Sequence, residues 1–296
     1  MRLARKEKYI YNDNDMTCSI ERPHDGAISW FIPRCIRHGS KDYTLTNICK
    51  FCFTNRILER IEFAEDSAIK EISKNSFSSR LKKLIISPSI VLLEDGWCMN
   101  TSRLNNVVLL PNNQSYAYLD DDHKIILGKT NVNEDKFDSI VFACRNIKQM
   151  TIPSFITVIC PYSFENCKLL QSIEFESNSN LIKIGENAFS NISIDSLSIP
   201  DSVTDFGGSI FNKSEIRHLI IPSQVKNSNA IFSKYQKMYS IEFLADEFTF
   251  NDDFMYDVSI ACFPNANKII ISKESAFCDY SVIFTKSNIE LIKDNH

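Results

Sequence analysis

The chain has 296 residues, 44% of them apolar, so there is ample material for a core. Its formal net charge of -4 offers no basic field to nucleic acid, and only 7 glycines argue against a Gly-rich phosphate loop. Nowhere does an apolar run reach the roughly 18 residues that a membrane-crossing helix needs.

The first residues, MRLARKEKYIYNDNDM, are charged at once and lack the apolar stretch of a secretory leader. Residues 1–27 read as a solvated N-terminal segment or cap. Trp30-Phe31-Ile32-Pro33 reads as a strand ending in proline, which has no N–H and suits that place. The polar stretch Arg37 to Asp42 reads as a loop insertion, after which Leu45, Ile48 and Phe53 return to the interior.

Between Ile48 and Phe53 lies Cys49-Lys50-Phe51-Cys52. A C-x-x-C can be a redox pair or half a zinc site. Zinc needs two more ligands at suitable spacing, and a thioredoxin-like pair needs a βαβ setting. The sequence supplies neither, so these cysteines are expected to pack, reduced and without metal. The full set is Cys18, Cys35, Cys49, Cys52, Cys98, Cys144, Cys160, Cys167, Cys262 and Cys278. Their irregular scatter fits small buried hydrophobes better than a disulfide framework.

From Leu58 onward the chain repeats. Ser172-Ile173-Glu174-Phe175, Ser196-Leu197-Ser198-Ile199 and His218-Leu219-Ile220-Ile221 are versions of one phrase. Its alternation predicts a short strand with one buried face. Phe63, Ile86 and Leu109 end such strands 23 residues apart. Ile152, Phe175, Ile199, Ile221 and Phe243 follow at 23, 24, 22 and 22, and Ile271 is read as closing the series after a step of 28. After several strands comes an apolar pair three apart and then an aromatic. Examples are Ile69, Ile72 and Phe77; Ile156, Ile159 and Phe164; Leu181, Ile184 and Phe189; and Val203, Phe206 and Phe211. One coil cannot bury its own apolar face, so a fixed period of this length means a stacked solenoid. Ile152, Phe175, Leu197, Ile199, Leu219, Ile221 and Phe243 should point inward, with Phe164, Phe189 and Phe211 stacked beside them.

Residues 111–142 depart from the repeat. They read as a hairpin-like excursion, or two short strands in place of one coil. Asp120, Asp121 and Asp122 neither alternate like calcium ligands nor carry the turn glycine, so they read as a solvated turn. The histidines, His24, His38, His123, His218 and His296, belong to no catalytic motif. Four N-x-S/T sequons, at Asn100, Asn113, Asn191 and Asn212, are what an Asn- and Ser-rich chain gives by chance.

Two phrases carry a family resemblance: L-x-I-x-I-P-x-x-V-x-x-I-x-x-x-x-F, at Met150 to Phe164, Leu197 to Phe211 and Leu219 to Phe232, and L-x-x-I-E-F, at Leu58 to Phe77 and Leu170 to Phe189. The chain resembles the BspA-type leucine-rich repeat proteins. The resemblance implies an α/β leucine-rich repeat solenoid over 28–292, of about ten to twelve coils. It further implies a right-handed curved horseshoe with a parallel sheet on the concave face and short turns or one-turn helices on the return side. Such proteins are described at cell surfaces, in adhesion and host-matrix binding. The resemblance brings no catalytic residue, cofactor or metal.

The expected function is therefore a non-enzymatic scaffold for a protein partner. The outward strand positions are Arg60 and Glu62, Lys83 and Ile85, Asn106 and Val108, Gln149 and Thr151, and Ser172 and Glu174. They continue with Ser196 and Ser198, His218 and Ile220, Ser240 and Glu242, and Lys268 and Ile270. The candidate binding face is Arg60, Glu62, Lys83, Gln149, Thr151, Glu174, Ser196, Ser198, His218 and Glu242. It mixes charge of both signs with hydroxyls. At about 4.8 Å per strand it would extend roughly 40–50 Å, which suits a protein better than a small molecule. The alternative is a merely solvated face with binding by loops. The lack of a leader reads as cytoplasmic and favours an intracellular adaptor, whereas the resemblance favours the cell surface. A cryptic hydrolase or metal enzyme is the remote alternative.

Overall fold

A computed structural model describes residues 7–23, 27–54, 57–225 and 237–244, and the backbone of five further strands between 247 and 293. The chain falls into two compact units, Met1–Asn146 and Ile147–His296. Both are built from parallel sheets stacked coil on coil, a leucine-rich repeat solenoid. Among the described residues there is no helix, and the return side is made of turns and two-residue strands.

The first unit holds β1 (Lys8–Asn12), β2 (Thr17–Arg22), β3 (Ser29–Ile32), β4 (Cys35–His38), β5 (Lys41–Ile48), β6 (Arg60–Phe63), β7 (Glu71–Ile72), β8 (Lys83–Ile86), β9 (Leu92–Leu93), β10 (Asn106–Leu109), β11 (Ala117–Tyr118), β12 (Ile125–Gly128) and β13 (Ser139–Ala143). Its main sheet runs β3–β6–β8–β10, all parallel. Its return sheet runs β2–β5–β7–β9 in parallel, with β1 antiparallel on the outer edge of β2. The expected insertion at Arg37 to Asp42 is an antiparallel hairpin of β4 on β5. Main-sheet side chains alternate as the period of two requires: Trp30, Ile61, Leu84 and Val107 are buried, as are Ile32, Phe63 and Ile86. Leu109 is only half-buried, because β10 is the last strand of its sheet.

Aromatic side chains run through the core at the foot of the coils. Phe53, Phe77, Trp97 and Phe142 follow at centroid distances of 5.9, 6.1 and 5.4 Å. In the second unit Phe164, Phe189 and Phe211 follow at 5.4 and 6.1 Å, each fully buried as expected. Such pairs add aromatic attraction to the area they bury.

The coils turn with few glycines because asparagine replaces them. Asn75, Asn100, Asn166, Asn187 and Asn191 all adopt positive φ, which asparagine tolerates better than other residues with a side chain. Two of the chance sequons, Asn100 and Asn191, are thus turn residues.

The excursion is an antiparallel meander. β11 pairs with β12, and β12 with β13. Both β12 and β13 are buried along their whole length, so this segment is core and not appendage.

The second unit holds β14 (Gln149–Ile152), β15 (Val158–Ile159), β16 (Ser172–Phe175), β17 (Lys183–Ile184), β18 (Ser193–Ser198), β19 (Asp205–Phe206), β20 (Glu215–Ile221), β21 (Lys237–Phe243), β22 (Glu247–Phe250), β23 (Val258–Phe263), β24 (Lys268–Ile271), β25 (Ser281–Phe284) and β26 (Glu290–Lys293). Ile152, Leu197, Ile199, Leu219 and Ile221 are buried as expected. The side chain of Phe243 lies outside the described residues.

Two expectations need correction. Phe175 is half-buried, because the sheet parts beside it. Ile271 does not close the main-sheet series. Its strand β24 pairs in parallel with β22 and β26, a separate sheet, while the main sheet continues through β23 and β25. Lys268 and Ile270 therefore leave the candidate face. The run Lys268–Ile271 alternates like the repeat phrase and is rich in β-branched residues, which is why it imitates it.

Candidate interaction surface

The first unit presents Arg60, Glu62 and Lys83 on its main sheet. Arg60 and Lys83 stand directly opposite each other in register. Two like charges there would repel, and Arg60 turns instead along its own strand to an ion pair with Glu62. Lys82 and Glu59 form a second pair at the rim, 2.8 Å apart. Opposite Glu62 on β3 stands Phe31, which is 59% exposed, and Ile28, just before that strand, is 60% exposed. Sequence reading placed the Trp30–Pro33 strand but did not use its alternation: with Trp30 and Ile32 inward, Phe31 must face out.

The second unit brings the other candidates onto its main sheet. Gln149 pairs with Ser172 and Thr151 with Glu174. Ser196 pairs with His218, and Ser198 with Ile220. Ile220 in turn pairs with Glu242. Gln149, Thr151, Glu174, Ser196, Ser198 and His218 are exposed, and Glu242 is half-buried.

These residues do not form one unbroken row. β14 and β16 make a two-stranded sheet, and β18, β20, β21, β23 and β25 make another. The return strands β15, β17 and β19 cross the same coils without a break. The break leaves a groove of about 700 Å³ between β16 and β18. Ile173, Phe175 and Pro200 contribute apolar surface, and Glu174, Glu176, Asp201, Ser196 and Ser198 its polar groups.

Elsewhere the candidate chemistry is absorbed by structure. Cys52 is 3% exposed and Cys49 half-buried. Burial, and secondarily Cys49 and Glu21, push the Cys52 thiol well above its usual value; burial also raises that of Cys49, with Glu21 adding to it. Metal binding and thiol exchange both use the thiolate, which this setting disfavours. Among the described residues no cluster of three His, Cys, Asp or Glu side chains is disposed to hold a metal ion. Asp120 to Asp122 occupy the exposed β11–β12 turn, where the Asp120 carboxylate accepts the Asp122 N–H at 3.1 Å. His123 stacks on Tyr118 at 4.1 Å and His38 on Tyr11 at 4.4 Å, so both imidazoles pack on aromatic rings.

The BspA-type leucine-rich repeat model matches residues 37–119 and 135–261 in six copies, well over half of the chain. The chain belongs to the BspA-type leucine-rich repeat family. One solved structure agrees on the fold, and two others stand beside it as similar. A leucine-rich repeat protein from Bacteroides ovatus is 15% identical, with a TM-score of 0.51 over 99% of this chain and 78% of that one. A leucine rich cell surface protein from Faecalibacterium prausnitzii is 15% identical, with a TM-score of 0.46 over 97% and 96%. A leucine-rich repeat protein from Eubacterium ventriosum is 14% identical, with a TM-score of 0.49 over 95% and 83%. No curated protein sequence matches significantly. The BspA-type repeat thus points to a repeat protein for protein interaction.

Proposed function

We propose that this BspA-type protein is a non-enzymatic adhesion scaffold that attaches to a host or matrix protein through its main-sheet faces. The observation that carries this reading is the row of exposed side chains held in parallel register. Thr151 stands beside Glu174, and Ser196 beside His218, each on hydrogen-bonded strands. Parallel strands lie about 4.8 Å apart, so each row is a rigid, evenly spaced set of contacts whose ordering entropy folding has already lost. An open sheet face of this kind suits the broad surface of a protein.

The test is to capture a partner from host-matrix extracts, identify it, and measure its affinity with the purified chain. Replacing Glu174, His218 and Glu242 together with Ala should weaken binding by tenfold or more, about 1.4 kcal/mol. Unchanged affinity, with the fold intact by circular dichroism, would remove the sheet face and direct attention to the loops between Asn112 and Lys136.

A further inference from the structure

The groove between β16 and β18 has a cause in the sequence. From Phe175 to the next buried return residue, Leu181, is six residues, whereas from Ile152 to Ile156 and from Ile199 to Val203 is four. The longer connection, Glu176-Ser177-Asn178-Ser179-Asn180, follows a bulky Phe in place of the usual Ile-Pro. The same longer form follows Phe63, and there too pairing to the next strand is short: only Arg60 and Ile61 of β6 engage β8. In the second unit the pairing is lost altogether, and β16 and β18 belong to different sheets.

Each wall of the groove is anchored away from the opening. The Glu176 carboxylate accepts the Ser154 N–H at 2.8 Å, and the Asn180 N–H and side-chain amide donate to the Ser154 carbonyl at 3.0 and 2.9 Å. On the other side the Gln224 amide donates to the carbonyls of Asp201 and Val203. One wall is thus tied to the preceding coil and the other to the following coil. The groove is preformed, and its two strand edges are not paired with each other.

The lining is one-sided in charge. Glu174, Glu176 and Asp201 are exposed carboxylates, and no lysine, arginine or histidine lines the groove. Hydroxyls of Ser196 and Ser198 lie among them, while the Ser202 hydroxyl is itself buried. Apolar surface comes from Ile173, half-buried Phe175 and Pro200. A guest must therefore carry positive charge at its tips and apolar stems beneath, which is the make-up of lysine and arginine side chains.

We propose that this groove is a docking site for an extended basic segment of a protein partner. Its lysine or arginine heads are held by Glu174, Glu176 and Asp201, and their stems lie over Phe175 and Pro200. The proposal rests on the reading of the chain as a protein-binding scaffold and names the chemistry of the segment it takes.

The test uses the full chain and three short synthetic peptides, alternating Lys–Thr, Glu–Thr and Ser–Thr, with fluorescence anisotropy at low and at physiological salt. The Lys–Thr peptide should bind, more weakly at higher salt, and the other two should not. Glu174→Gln with Asp201→Asn should weaken Lys–Thr binding by about tenfold. Asp121→Asn with Asp122→Asn removes the same net charge elsewhere and should leave it unchanged; thermal melts confirm that both variants fold. No binding of Lys–Thr, equal weakening in both variants, or equal binding of Ser–Thr would overturn the groove. The scaffold reading fails separately, when the captured partner ignores the triple Ala variant of the sheet face.

Discussion

The hydroxyl of Tyr118 accepts a hydrogen bond from the backbone N–H of Leu109 at 2.7 Å. The same hydroxyl donates to the Val107 carbonyl at 2.9 Å. One side chain thereby does for the edge of β10 what a neighbouring strand would do. Two residues earlier, the Tyr116 hydroxyl accepts the Leu93 N–H at 2.7 Å and closes the edge of β9. The excursion ends both ladders of the first unit at once. Open strand edges are a hazard for misassembly, and at β9 and β10 two tyrosine hydroxyls cover them.

Tyr118→Phe should leave one donor and one acceptor of β10 to water or to nothing. The expected cost is about 1–3 kcal/mol in urea unfolding, at the low end because the edge is only half-buried. Amide exchange at Leu109 should accelerate while exchange at Ile86 does not. Equal protection at Leu109 in both proteins would show that the hydroxyl is dispensable.

Phe189 stands between Phe164 and Phe211 in the second unit and is fully buried. Phe189→Ala removes both ring contacts and opens a cavity, with an expected loss of about 3–5 kcal/mol. Phe155→Ala, at an exposed site, should change stability by about 0.5 kcal/mol or less. Differential scanning calorimetry on the pair checks the contrast.

Gly207 lies where two coils meet backbone to backbone. A Cβ there would stand 2.2 Å from the Glu186 nitrogen and 2.5 Å from the Gly185 carbonyl carbon, neither of which can rotate away. The neighbouring Gly208 has open space. Gly207→Ala should destabilise by about 1–3 kcal/mol through overpacking, and Gly208→Ala should not. Similar urea midpoints for the two variants would contradict the close approach.

The buried thiols and phenols set an alkaline limit. Burial pushes Cys18 up to about 11, with Cys35 adding to it, and raises Cys52 and Tyr162 well above the ordinary thiol and phenol range. The Glu186 hydrogen bond contributes to the Tyr162 shift. Above about pH 9 the unfolded chain loses these protons first, so stability is full below that pH and falls as pH rises. Urea midpoints should be flat from pH 7 to 8.5 and decline toward pH 10.5. Cys52→Ala should be less steep over the same range. A midpoint that rises with pH would reverse the sign of the account.

Much of this was legible in the strand phrase. The 22–24-residue spacing placed Ile152, Ile199 and Ile221 in the interior, because a period of two leaves no other register with a buried face. What escaped depends on relations between distant residues. The edge-capping role of Tyr116 and Tyr118 is a hydrogen bond to strands 9 to 23 residues away, and no local pattern announces it. The groove is a lost pairing between β16 and β18. Its only trace in the sequence is two extra residues after Phe175. Lys268–Ile271 misled because return strands and main strands share one alternation, and only the pairing partner separates them.

The claim that the sheet face meets the partner is tested most directly by carboxylate footprinting of the complex. Carbodiimide labelling with mass spectrometry reads Glu174 on the face and Asp121, Asp122 and Glu134 on the exposed loops in one experiment. The account predicts that partner binding protects Glu174 and leaves the three loop carboxylates as reactive as in the free chain. Protection of the loop carboxylates with Glu174 still labelled would contradict it.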